Sequence, residues 1–241
     1  MRKSNLLLGV AVVFFLGCLT AFDFALKAEY ETGKYKDRYR DYVTLNLNVF
    51  DQVEVNGATQ VGYKILPGTP KVRLHQKDKE FFKVRQVGKK LIIDLAHKDN
   101  NDGYQGEILI YCPKLTSVAS SSTYTLLGQK QELVWHLYQY NKVMVKGFKL
   151  DSLSLLPDHA TAIELDSTSI KYLAVKAGAT PGSNAKVTLY PNNQIHQAQF
   201  DMQHKSQLVL QNVQIPLASY QFSPQAEGTF TGASLQLLSK K

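Results

Sequence analysis

From residue 43 onward the chain alternates apolar and polar residues with period two, the pattern of strands buried on one face. The first runs are Val43 to Leu47, Val53/Val55, Val61/Tyr63/Ile65, Val72/Leu74, Phe82/Val84 and Leu91/Ile93/Leu95. Turn residues separate them at Asn56-Gly57, Pro67-Gly68, Gly88-Lys89 and Asp99 to Gly103. The short step from Val84 across Gly88 to Leu91 predicts a hairpin. Beyond Ile108 the alternation gains a longer period. Two apolar residues at alternate positions open each unit, and further apolar positions follow at +7, +10 and +12. Val143 opens a unit with Leu150, Leu153 and Leu155, and Ile163 repeats it with Ile170, Leu173 and Val175. Units start at 108, 126, 143, 163, 187, 208 and 230, a spacing near twenty residues. The unit near Leu126 is the weakest, with His136 at its middle offset.

A fixed period of this size predicts stacked units, none of which buries its apolar face alone. The expected fold is all-β: a single-stranded β-helix or β-solenoid of about seven rungs with an N-terminal β cap. One transmembrane or signal-anchor helix precedes it. The organisation expected is an anchor over residues 1–26, a juxtamembrane spacer over 27–42 and the solenoid over 43–241.

The anchor is read from Arg2 and Lys3 followed by the apolar run Leu6 to Phe22. No small-x-small cleavage site follows, so an uncleaved signal-anchor is favoured, with the membrane contacted through residues 5–22. A lipoprotein in which Cys18 becomes the lipidated first residue is the second reading, and a cleaved signal peptide the third. Lys27, Lys34, Lys36, Arg38 and Arg40 beyond the run oppose the usual charge bias for export. Long domains translocate largely regardless of charge, so export is favoured. Tyr30, Tyr35, Tyr39 and Tyr42 suit an interfacial spacer.

The net charge of +8 changes the picture little, because its basic residues are spread along the chain and no Arg follows Arg85. Nucleic-acid binding, which calls for an Arg-rich stripe, is not expected. With only Cys18 and Cys112, no disulfide framework or zinc spacing exists, and Cys112 reads as a buried small hydrophobe.

Several of these segments resemble a known family. The anchor, Ala28-Glu-Tyr30, Val53 to Gly57, Gly88 to Ile93, and Ile108 to Val118 are similar to the putative auto-transporter adhesin, head GIN domain family of Bacteroidetes. The resemblance spans most of residues 43–240 and implies a β-solenoid in the cell envelope. It carries over no catalytic residue. Ala119 to Thr123 departs from the Ser-Gly-rich turn common there.

Candidate chemistry is sparse. Asp151, Asp158, Glu164, Asp166 and Asp201 are the carboxylates available for a glycosidase or lyase pair. Asp151 and Asp166 each stand beside Ser, where a turn hydrogen bond accounts for them. Asp99 to Asp102 lacks the alternate-oxygen spacing of a calcium loop. His75, His97, His136, His159, His196 and His204 lack metal-ligand spacing. No catalytic, cofactor or metal residue is therefore assigned. Trp135, Tyr138 and Tyr140 read first as core and second as a binding patch. Gln194, Gln197, Gln199, Gln203, Gln207 and Gln211 suit polar ladders or a hydrogen-bonding face. The function expected is a non-catalytic, adhesin-like envelope module with a protein or polysaccharide partner. The alternatives are a carbohydrate-active β-helix enzyme and a cytoplasm-facing scaffold or sensory domain.

Overall fold

Leu, Val, Phe and Ala dominate residues 6–26 with no proline, and this stretch folds as helix α1, Lys3–Glu31. The computed structural model describes residues 3–33, 36–96, 106–132 and 141–239. It comprises two units, Met1–Tyr42 and Val43–Lys241. At 29 residues α1 is about 44 Å long, against a bilayer hydrocarbon core of about 30 Å. By length and composition it can cross a membrane, and none of its most apolar window is buried against protein. The helix runs on past the apolar stretch, with Lys27 and Glu31 paired at 3.9 Å, one turn apart. It stops at Gly33, whose φ of +66° suits a glycine cap.

The second unit contains two large sheets. The nine-stranded sheet has the order β1 (Tyr42–Asn46), β4 (Lys71–His75), β7 (Glu107–Cys112), β3 (Gly62–Pro67), β11 (Val143–Lys146), β13 (Ala162–Asp166), β15 (Lys186–Leu189), β17 (Gln207–Gln211) and β19 (Glu227–Thr231). The eight-stranded sheet runs β18 (Leu217–Phe222), β16 (Gln194–Met202), β14 (Ser169–Ala177), β12 (Lys149–Pro157), β8 (Ser117–Ser121), β2 (Gln52–Asn56), β6 (Lys90–Leu95) and β5 (Phe82–Val87). A separate antiparallel hairpin pairs β9 (Thr123–Leu126) with β10 (Gln129–Glu132). A short helix α2, Gln236–Ser239, follows.

This corrects the expected solenoid of seven rungs. The sheets mix parallel and antiparallel pairs, and strand order departs from chain order. Strand β7, read as part of the first rung, lies between β3 and the antiparallel β4. Strand β8 lies between β2 and β12. The residues read as an N-terminal cap thus enter both sheets, and the weak unit at Leu126 begins in the hairpin outside them, its later positions lying outside the described residues. Alternation specifies which face of a strand is buried; it carries no information on which distant strand lies alongside.

Burial comes from apolar residues meeting across strands. Val143, Ile163, Val187 and Leu208 are successive lateral partners in the nine-stranded sheet. Leu155, Val175 and Phe200 are successive partners in the eight-stranded one. All seven belong to one buried cluster that both sheets share. Each such side chain contributes about 1.5–3 kcal/mol when taken fully from water. Cys112 is in that cluster, and burial, aided by the charge of Asp51, pushes its thiol up to about 12. It is a packing residue.

Candidate binding surface

On β14 and β16 the inward residues are Leu173 and Val175, and Ala198 and Phe200. Period two therefore turns Tyr172, Ala174 and Lys176, and Gln197, Gln199 and Asp201, outward. The register joins them into rows: Ser152, Tyr172, Gln197 and Leu217 in one, Ser154, Ala174, Gln199 and Ser219 in the next. The Tyr172 hydroxyl donates to Gln199 Oε1 at 2.9 Å, which holds the ring and the amide together. Gln203 Nε2 donates to Asp201 Oδ2 at 2.9 Å. Ser152 flanks the ring on one side and Gln197 on the other, with Leu217 more than half exposed beside Gln197. An aromatic face with amide donors and acceptors around it can hold a sugar ring or an extended polypeptide.

Of the expected run of glutamines, Gln197 and Gln199 lie on this face and others do not. Gln207 and Gln211 belong to the nine-stranded sheet, where Gln207 Nε2 donates to Glu227. Gln194 lines a groove of about 630 Å³ at the bend between the sheets, with Lys171, Asn193, His196 and Asn212.

The five candidate carboxylates each have their own partner, and of these only Glu164 and Asp166 share one strand face. Asp151 pairs with Lys171 at 2.7 Å, both side chains exposed, and the Lys171 hydrogen bond lowers its carboxyl. Asp201 lies on the outer face just described. Glu164 and Asp166 share the outer face of β13, two residues apart. Lys142 Nζ meets Glu164 Oε2 at 2.7 Å and the Tyr190 hydroxyl donates to the same oxygen at 2.9 Å. Burial alone would lower Lys142, but the bond and charge of Glu164 outweigh it and raise it. Tyr190 is raised by burial and then by Glu164. Lys146 Nζ holds Asp166 at 2.6 Å and keeps that carboxyl below the ordinary range.

Asp158 sits at a corner turn. Its Oδ2 accepts from Thr180 Oγ1 at 2.5 Å and Thr180 N at 3.2 Å, and its Oδ1 from His159 N at 3.0 Å. Burial would raise this carboxyl, but bonds from Ser183, Thr180 and the backbone bring it below 3.8. A depressed folded-state pKa stabilises the fold above the unfolded value, and that contribution is lost as pH falls through the folded one. Asp158→Asn should lower stability by about 1–3 kcal/mol at neutral pH. Melting curves from neutrality to below pH 3.8 should fall less steeply for the variant than for the wild type.

Among the described residues no group of His, Cys, Asp or Glu can hold a metal ion. His159 Nδ1 instead meets Glu132 at 3.0 Å, and His204 Nδ1 meets the Gly178 carbonyl at 2.8 Å. Trp135, Tyr138, Tyr140, His97, His136 and Asp99 to Asp102 lie outside the described residues. Sequence reasoning missed Tyr172, although its place two residues after Ile170 was available. Its neighbours Gln197 and Leu217 depend on cross-strand register, which was not.

The fold has counterparts among solved structures. A putative adhesin from Parabacteroides distasonis superposes with a TM-score of 0.56 at 9% identity, over 79% of this chain and 73% of that one. This chain shares the fold of a Bacteroidetes putative adhesin. Putative adhesins from Bacteroides fragilis and Parabacteroides merdae are also similar, with TM-scores of 0.47 and 0.44 and identities of 10% and 9%. These two cover 78% of this chain each, and 93% and 79% of their own. No family model and no curated protein sequence matches the chain.

Proposed function

We propose that this chain is a non-catalytic binding module of the bacterial cell envelope, exported and tethered to a membrane by α1 through residues 5–22. The outer face around Tyr172, Gln197 and Gln199 is its binding surface for a polysaccharide or protein of the envelope. The observation that carries the reading is α1 itself: a long apolar helix whose side chains protein leaves uncovered. A bilayer would cover that surface, whereas in water the helix forfeits the hydrophobic contribution of every Leu, Val and Phe it carries. The shared fold with a protein named as a putative adhesin supports binding as the task of the β unit. Carboxylates engaged one by one favour binding over hydrolysis.

The test is protease digestion of a C-terminally tagged chain in intact cells, spheroplasts and lysates. Loss of the tag in intact cells or in spheroplasts is expected. Protection in both, with digestion only after lysis, would overturn export. For the surface, Tyr172→Ala with Gln197→Ala should weaken retention on purified envelope polysaccharide or protein about tenfold. Both side chains face solvent, so the melting temperature should hardly move. Undiminished retention by the double variant would rule out this face.

A further inference from the structure

Residues 43–241 carry 21 Lys+Arg against 15 Asp+Glu. Residues 71–90 alone carry 8 against 2, leaving 13 against 13 elsewhere, so one short segment holds the unit's entire excess of positive charge. The topology concentrates that segment at one end. It comprises β4, next to the edge strand β1; a 3₁₀ turn, Gln76–Phe81; and β5, the edge of the eight-stranded sheet. The turn therefore crosses from one sheet to the other over the end where the chain arrives from α1.

Part of this charge is spent internally. Arg85 Nε meets Asp94 at 3.0 Å, Lys90 Nζ meets Glu54 at 3.1 Å, and Lys71 Nζ lies 4.9 Å from the Tyr111 ring centre. Lys77, Lys79, Lys83 and Lys89 are exposed and have no ion-pair partner among the described residues. Of the two acids in the segment Asp78 is buried, which leaves Glu80 as the one exposed carboxylate against those four ammonium groups. Beside Lys89, two apolar side chains face solvent: Val87 at 59% exposure and Val49 at 64%. The Gln86 amide donates to both the Val49 and the Gly88 carbonyl, fixing that tip.

We infer that this end of the β unit docks on an anionic membrane surface, its four free lysines against lipid phosphates and Val49 and Val87 at the headgroup boundary. The inference rests on the tethering proposed above. Ten residues, 32–41, join α1 to β1, and ten residues reach at most about 35 Å. The basic end is therefore the end at which the chain enters the unit from the tether. Each lysine close to an anionic leaflet favours the surface about fivefold, and the attraction decays within about 8 Å at physiological salt. Free lysines grouped on one end add their effects; the same charges spread over the unit would not.

The full chain would be reconstituted with phosphatidylcholine vesicles, with and without phosphatidylglycerol, and its lysines acylated and counted by mass spectrometry. Labelling of Lys77, Lys79, Lys83 and Lys89 should fall about fivefold when phosphatidylglycerol is present, and recover at high salt. Lys176 and Lys205, exposed on other parts of the unit, should not respond. Flotation with the vesicles without any lipid-dependent protection would overturn the docking and leave the tether standing. Flotation and protection only with phosphatidylglycerol would remove the tether and keep the docking. Flotation with neither lipid would defeat both. Protection by a soluble anionic polysaccharide, with none from phosphatidylglycerol, would overturn the membrane assignment.

Discussion

Asn193→Ala should destabilise the β unit by about 3–5 kcal/mol. The side chain is buried and uses all its bonding capacity. Its Oδ1 accepts from Thr168 N at 3.0 Å and Thr168 Oγ1 at 2.8 Å. Its Nδ2 donates to the carbonyls of Leu165 at 2.7 Å and Tyr190 at 2.8 Å. The loss is unequal between the two ends. Both carbonyls keep a second bond, from Tyr190 N and Asn193 N, at 3.1 and 3.2 Å. Thr168 keeps neither of its bonds to Asn193, and it is 1% exposed, so its N–H and hydroxyl lose these partners inside the protein. A buried orphan of this kind costs about 1–3 kcal/mol, and there are two. Asn193→Asp should also destabilise, since its second oxygen would face two carbonyl oxygens. Urea unfolding in detergent, followed by the β-sheet circular dichroism, measures both. A loss below 1 kcal/mol for the alanine variant would mean that water replaces the amide.

Phe200→Ala should destabilise by about 3–5 kcal/mol for a different reason, the removal of a whole ring from the core. Phe200 is 1% exposed, with Val175 and Tyr220 as its lateral partners. Both neighbours are held by backbone ladders, so the sheet cannot close over the space. The void and the lost transfer energy therefore add. Phe200→Leu keeps most of the volume and should lose less than about 1.5 kcal/mol. The comparison separates cavity formation from mere loss of an aromatic residue. Equal losses for the two variants would show that the aromatic ring itself, rather than volume, sets the effect.

The two residues differ in how visible they were beforehand. Phe200 falls on an apolar repeat position, one residue late, so its burial was readable from spacing alone. Asn193 lies in Pro191-Asn192-Asn193, which reads as an ordinary polar turn. Its burial arises because the turn lies against the preceding one, at Leu165 to Thr168, a contact between residues 25 apart. Glu164 and Asp166 illustrate the same division. Alternation puts both on one face of β13, whereas Lys142 and Tyr190 reach Glu164 from either side only through strand pairing. The even look of the charge along the chain also misled. Eight basic residues in 71–90 become one end of the β unit only when β4 lies beside the edge strand β1 and β5 takes an edge position.

Sequence alone determined what each short segment buries: an apolar helix at the N-terminus, strands with one apolar face, polar turns between them, and Cys112 inward. Those properties follow from backbone geometry, where period two or a long unbroken apolar run needs no distant partner. The tertiary structure decided which strands lie together. It set β7 between β3 and β4, folded residues 123–132 into a separate hairpin, and replaced the expected solenoid with two sheets of mixed direction. Backbone N–H and C=O groups are alike in every strand, so pairing is settled by how all the apolar faces can be covered at once. That is a property of the whole chain.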